Sequence, residues 1–302
     1  MLPTRAAARP GAHALTIAAM LIDARHTELP APEALARELS ARLDGFQDIA
    51  WTASTGSTNA NLLARARAGA GSWLQGTHLQ QTGRGRAGRT WQNRVGAALM
   101  FSCAFPVRMP AGRLPALSPL AGLAACEALR LLAGGAGGLC VKWPNDVQWH
   151  DAKLAGVLVE STRDPHVPGG YTVVIGMGLN LRDADTLSQA LGRAVADWSC
   201  VIEQSGSRPV GAADIVCAVA AAWREAVREL ESSGFGAFGR RFDAVDALAG
   251  RAVNVVDQGT VLFSGTARGL DDQGRLQLQT AQGLVPVSVG EVSIRPQTTA
   301  PA

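Results

Sequence analysis

Three apolar runs, Leu139–Trp143, Leu154–Glu160 and Tyr171–Asn180, follow one another with only short polar gaps between them. Parallel strands need a crossover of a dozen or more residues, usually a helix, so hairpins and a largely antiparallel sheet are favoured over βαβ crossovers. Long apolar helices are predicted over Leu117–Leu132, which ends at the glycines of 134–138, and over Ala212–Leu230, with a shorter one near Phe235–Phe242. A further helix opens at Ser57–Thr58, whose hydroxyls suit an N-cap, and runs to Gly69. Strands are expected at Gly76–Gln81 and Ala97–Phe105. The fold class is therefore α+β, on a mixed, largely antiparallel sheet.

Past Gly250 the pattern changes. Ala252–Val256, Leu262–Gly269, Arg275–Thr280 and Leu284–Val289 are short β-type runs, divided by Asp257-Gln258-Gly259, Asp271-Asp272-Gln273-Gly274 and Gln282-Gly283. Such turn chemistry predicts a small β-barrel appended to the larger unit. The expected division is an N-terminal extension over 1–42, a catalytic domain over 43–248, the barrel over 249–297 and a tail at 298–302. Within the extension, residues 1–13 read as disordered and Ala14–Ile22 as a short amphipathic helix rather than a signal peptide, and Met20 is an alternative start to Met1.

Composition narrows the function. A net charge of +3 does not support bulk nucleic-acid binding, so a cationic site must be a local cluster. Five scattered cysteines without a C-x-x-C pair point to neither structural zinc nor a disulfide framework, and fit a reducing cytoplasm. No run of about 18 apolar residues predicts a membrane span.

Five short segments carry chemistry. Gly83-Arg84-Gly85-Arg86-Ala87-Gly88-Arg89 places three arginines on a pliant backbone that can wrap an anion, each able to hold phosphate or carboxylate bidentately. A solvated basic loop has the same composition. Its match to G-x-G-x-x-G lacks the helix start and the acid that a dinucleotide site needs. In Lys142-Trp143-Pro144-Asn145-Asp146, Pro144 stops the ladder so that Asn145 and Asp146 project from a strand end; an ordinary Asn-Asp turn is the alternative. Lys153-Leu154-Ala155-Gly156 opens the next strand, and a hairpin tip at Gln148–Ala152 returns Lys153 toward Asp146. Alternate glycines in Gly176-Met177-Gly178-Leu179-Asn180 leave backbone open to a ligand, or mark a bulge. Ser57-Thr58-Asn59 offers polar groups and N–H donors at a helix start, although capping alone accounts for it.

In this order and spacing, with Gln80 and Gln81 before the Gly/Arg loop and Trp91 after it, the segments resemble the signature of biotin–protein ligases. The resemblance spans about Leu43 to Pro296. It implies a catalytic domain like that of class II aminoacyl-tRNA synthetases, followed by an SH3-like barrel. It also implies ATP-dependent formation of biotinyl-5′-AMP and transfer of biotin to a lysine of a biotin carboxyl carrier protein, with Mg²⁺ accompanying ATP and no assignable metal ligands. Ser57, Thr58, Asn59, Gln80, Arg84, Gly85, Arg86, Lys153 and Gly156 would lie on biotin. Arg86, Arg89, Trp91, Asn145, Lys153 and Asn180 would lie on the nucleotide. Lys153, Arg84 and Arg86 would stabilise charge during adenylation, and Asp146 is the nearest group to orient or deprotonate the carrier lysine. Ala87 departs from the family pattern, in which another arginine is frequent. Residues 83–89 are expected to be mobile without ligand and ordered by biotin plus ATP. The short stretch before Ser57 leaves no room for the winged helix of the DNA-binding members, so a single-function cytoplasmic enzyme, monomer or homodimer, is expected. A lipoate ligase and a nucleic-acid-binding regulator are the alternatives.

Overall fold

A computed structural model describes residues 29–290 and 293–297. The expected disordered start, the helix at Ala14–Ile22 and the tail at 298–302 lie outside the described residues. The extension assigned to 1–42 contains a helix that the sequence reading did not place, α1 (Pro32–Arg42). Proline at its first turn, Glu33 near its start and Arg42 in its last turn suit the helix dipole, and Leu35 and Leu39 are fully buried.

The larger unit is built on a seven-stranded sheet: β1 (Asp48–Thr52), β2 (Trp73–Thr77), β3 (Ala98–Arg108), β4 (Leu139–Lys142), β5 (Asp146–Trp149), β6 (Ala152–Arg163) and β7 (Gly170–Asn180). Their order is β1-β2-β3-β7-β6-β5-β4, parallel between β1 and β2 and antiparallel elsewhere. Of the three runs that constrained the sequence reading, the second and third are antiparallel neighbours (β6 and β7), whereas β5 separates the first (β4) from β6. Two strands were missed. β1 carries no clean alternation, and β5 is a four-residue strand that begins two residues after Pro144. The hairpin tip expected at Gln148–Ala152 is the tighter turn at His150 and Asp151, where His150 adopts φ 52°. β2 ends at Thr77, short of the expected Gln81.

One face of this sheet packs on α3 (Leu117–Leu132) and on α6 (Ala212–Ser233), the last of three helices in which α4 (Ala184–Leu191) and α5 (Trp198–Ser205) come first. Phe101 and Trp223 meet there with ring centroids 5.4 Å apart, and the fully buried Trp223 satisfies its Nε1–H on Ala121 O at 2.9 Å. On the other face α2 (Thr58–Ala68) sets Leu62, Leu63 and Ala66 against Trp73, Ala104 and Val174. Among the described residues, 111–132, which includes α3, is the one stretch long and apolar enough to cross a membrane; 72% of it is buried in the fold, as a core helix should be.

After the short α7 (Gly239–Asp243), β8 (Ala252–Asp257), β9 (Thr260–Leu270), β10 (Leu276–Thr280), β11 (Gly283–Val287) and β12 (Ser293–Pro296) form a second, antiparallel sheet in the order β11-β10-β9-β8-β12. The sequence reading missed β12. The two sheets share one hydrophobic core. Two devices hold them together. Trp143 Nε1 donates to Gly274 O at 3.0 Å, and the connecting segment covers the outer edge of β4, through Val141 N to Val245 O at 2.7 Å and Ala247 N to Val141 O at 3.0 Å.

Asp246 sits in that connection. Its Oδ1 accepts from Leu248 N at 2.8 Å, whereas Oδ2 is buried without a partner, and burial lifts the carboxyl to about 6. Because the folded value is raised, its contribution to stability is complete below the unfolded value near 3.8 and lost as pH rises through about 6. Asp246→Asn keeps the bond to Leu248 and removes the buried charge. We expect it to stabilise the protein by roughly 1–2 kcal/mol at pH 7.5 and to flatten the stability profile between pH 4 and 6, as read by denaturant unfolding across pH. Unchanged stability at pH 7.5 would show that the carboxylate is solvated there.

Candidate active site

A cavity of about 660 Å³ opens on the α2 side of the large sheet, beyond the helix N-terminus. Its floor is set by register. Ser102 of β3, Gly176 of β7 and Leu158 of β6 lie side by side, and Met100, Gly178 and Gly156 form the next row. The glycines are required by close packing. A Cβ at Gly176 would stand 2.1 Å from Asn59 Oδ1, and one at Gly178 would stand 2.4 Å from the Trp91 indole. The space above these glycines, expected to admit a ligand, is thus taken by two of the protein's own side chains.

At one end the walls are neutral and polar. Ser57 caps α2, its Oγ accepting from Ala60 N, and this turns Thr58 and Asn59 inward, where both are buried. Thr58 N donates to Gln80 Oε1 at 2.8 Å, and Gln80 is held in turn by Asn93 through its own backbone N and O at 3.1 and 2.9 Å. Thr58 Oγ1 lies 2.6 Å from Ser102 Oγ, which donates to Asn59 Oδ1 at 2.6 Å.

The other end is cationic. Arg84, Arg86, Arg89, Lys142, Lys153, Arg193 and Arg295 line it against a single carboxylate, Asp146. The hairpin between β5 and β6 does bring the lysine back: Lys153 Nζ pairs with Asp146 Oδ1 at 2.5 Å, both side chains mostly shielded. Lys153 also lies 5.7 Å over the Trp91 ring, whose buried Nε1 has no partner among the described residues. Burial pushes the Lys142 ammonium down, partly offset by Asp146, while Lys153 and Arg193 add repulsion. Burial likewise lowers Arg86.

Residues 84–90 arch over this end. Gly85 N donates to Arg89 O at 2.6 Å, and Ala87 and Gly88 turn the chain at φ 52° and 67°. Arg86 donates to Asn145 Oδ1 at 3.2 Å and to Gly290 O at 2.5 Å, and Arg89 donates to Ser293 Oγ at 2.6 Å. The second sheet therefore closes one side of the cavity with Ser293, Ile294 and Arg295.

Asn145, after the cis Trp143–Pro144 bond, is fixed by β6: its Nδ2 donates to Val157 O and its O accepts from Val157 N at 2.9 Å. Asn180 alone among the sequence-selected residues stands outside the main cavity. It is buried, donates to Lys153 O at 3.3 Å and Ala196 O at 3.1 Å, and lines a small adjoining cavity with Trp91 and Arg193. Ser102, Lys142, Arg193 and the β12 residues were not selected. Lys142 had been visible within its motif. For Ser102, buried in an apolar strand, the one sequence signal was a hydroxyl where a core side chain was expected; Arg193 and Arg295 arrive through long-range packing that no local pattern announces.

Residues 51–180 match the Biotin/lipoate A/B protein ligase family, and residues 249–295 match the Biotin protein ligase C terminal domain. The biotin--[acetyl-CoA-carboxylase] ligase of Paracoccus denitrificans is 33% identical over 243 residues, covering 80% of this chain and 98% of that protein. That of Mycobacterium tuberculosis is 35% identical over 260 residues, covering 82% and 89%. A biotin protein ligase from Aquifex aeolicus, solved in complex with biotin and ATP, superposes with a TM-score of 0.65 at 24% identity, covering 83% of this chain and all of that one, so the fold is shared. With these two ligases alike over nearly their whole length, the chain belongs to the biotin protein ligase family.

Proposed function

We propose that the protein activates biotin with ATP to form biotinyl-5′-AMP and passes the biotinyl group to a lysine of a biotin carboxyl carrier protein. The observation that carries this reading is the division of one cavity into a neutral hydrogen-bonding end and an end with seven cations facing one carboxylate. Biotin has that polarity, with a urea ring at one end and a carboxylate at the other. Its carboxylate must approach the α-phosphate of ATP, and the repulsion between two anions is the main electrostatic obstacle. Lys153 and the arginines of the loop are placed to offset it and to stabilise charge as the carboxylate O–P bond forms and the bond to the leaving pyrophosphate breaks. The arch over 84–90 excludes water from an acyl phosphate that hydrolyses readily. When the carrier lysine attacks the acyl carbon, AMP leaves with the bonding pair, and Asp146 is the carboxylate near enough to take the proton.

No group of three or more His, Cys, Asp or Glu side chains suited to a metal occurs among the described residues. The donor set fits Mg²⁺ held chiefly by ATP phosphates and water, with Asp146 the sole carboxylate lining the cavity. When bound, the ion would neutralise phosphate charge.

The test is ATP–pyrophosphate exchange. Exchange should depend on biotin and be absent with lipoate. Exchange that runs equally with lipoate, or needs neither acid, would overturn the assignment.

A further inference from the structure

Glu160 does not line the cavity, yet it stands at the end of the hydrogen-bond chain that forms the neutral wall. It lies two residues beyond Leu158 on β6, on the same face of the sheet. The protons in that chain can be placed by elimination. Leu158 O can only accept, so the Asn59 group 3.2 Å from it must be the NH₂, which also donates to Glu160 Oε2 at 2.9 Å. Asn59 Oδ1 then faces Ser102 and can only accept, so the hydroxyl of Ser102 spends its one proton there, at 2.6 Å. The 2.6 Å contact between Thr58 and Ser102 must therefore be donated by Thr58. Thr58 Oγ1 has no proton left for Gln80 Oε1, 3.2 Å away, and that oxygen is already satisfied by Thr58 N. The wall thus has a direction. Thr58, its proton given to Ser102, presents its hydroxyl oxygen to the cavity as an acceptor, and Gln80, its oxygen engaged, offers its amide N–H groups as donors.

We propose that Glu160 is a positioning residue for the polar head of the ligand: by holding the Asn59 amide in one orientation, it sets the wall to accept at Thr58 and to donate at Gln80. Were Asn59 to turn over, its NH₂ would face Ser102, the two hydroxyls would reverse, and Thr58 would lose one of its acceptor sites to Ser102. Of the two groups that hold the amide, Glu160 makes the shorter and charge-assisted bond. A head with N–H donors flanking a carbonyl acceptor, as in a cyclic urea, matches the wall in the direction observed. The proposal rests on the biotin reading.

The experiment is calorimetric titration of the full chain and two variants with biotin, and separately with ATP, together with KM and kcat from pyrophosphate exchange. Glu160→Met, which replaces the carboxylate with an uncharged and at most weakly accepting thioether, should weaken biotin binding and raise the KM for biotin about tenfold, equivalent to ~1.4 kcal/mol. Its ATP affinity and kcat should stay within threefold of the parent. Glu160→Gln keeps an acceptor and should restore biotin affinity to within threefold. If Glu160→Met fails to fold, Ser102→Ala breaks the same chain in its middle and should show the same split between biotin and ATP. Parent-like biotin binding in Glu160→Met, equal losses for biotin and ATP, or a Gln variant as impaired as Met would each overturn the role. A parent protein that does not bind biotin would instead overturn the functional reading, and this proposal with it.

Discussion

Lys153→Ala should fold and lower biotin-dependent pyrophosphate exchange by about a hundredfold or more, on the scale of removing one oxyanion donor, roughly 2.7 kcal/mol of transition-state stabilisation. Two effects add. The variant loses the ammonium held at the cationic end between Asp146 and the Trp91 ring. It also leaves Asp146 without the partner now at 2.5 Å, so the carboxylate faces the incoming phosphates offset only at longer range by cations such as Lys142 and Arg86. Folding should survive because the residue's structural work is done by its backbone: Lys153 N donates to Ala194 O, and Lys153 O accepts from Ala196 N and Asn180. The second effect is separable. Adding Asp146→Asn removes the stranded charge, and adenylate formation in the double variant should recover part of the loss, even though Asn cannot take a proton in the transfer step. Exchange within threefold of the parent in a folded Lys153→Ala would exclude the lysine from adenylation, and a double variant no faster than the single would show that the charge of Asp146 does not oppose the phosphates.

The pairing of Lys153 with Asp146 illustrates what could be read beforehand. Two apolar runs with ten residues between them must turn back, so a lysine opening the second run lands near an acid closing the first. Apolar runs bounded by glycines and turn residues likewise located the long helices α3 and α6 and four of the five strands of the second sheet, because a core-forming element must be apolar and its ends must turn. Where the pattern was short or its cause remote, it was silent. β5 has four residues, β1 is recognised by its parallel pairing with β2, and α1 declares itself through only two fully buried leucines. At the site, the residues carried on turns and helix starts were legible because special backbone positions demand particular side chains. Those that reach the cavity from β12 were not: Ser293 and Arg295 depend on how the second sheet docks, through Trp143, Gly274 and the covered edge of β4. The alternate glycines were correctly singled out, but it is Trp91 and Asn59 that lie against them.

Arg86→Ala should be the most damaging change in the arch. The expectation from three glycines and three arginines was a loop mobile without ligand. In the structure residues 84–90 are held by contacts of their own: Arg86 reaches Asn145 and Gly290, Arg89 reaches Ser293, and Gly85 N bonds to Arg89 O. Arg86 is the residue that connects the loop to both sheets at once, since Asn145 is itself fixed on Val157 of β6 and Gly290 leads into β12. Truncating it removes a cation available to the forming acyl phosphate and the main tether of the arch. Adenylate synthesis should fall roughly a hundredfold, and the adenylate that does form should escape, so that biotinyl-AMP appears in the filtrate rather than with the protein. Limited trypsinolysis reads the tether directly, because cleavage requires local unfolding. Arg84 and Arg89 should be cut faster in Arg86→Ala than in the parent. Biotin with ATP should protect the parent strongly, biotin alone less so, and the variant hardly at all. If the parent and Arg86→Ala are cut at the same rate with and without ligands, residue 86 does not hold the arch closed, and its part in the chemistry would be confined to its charge.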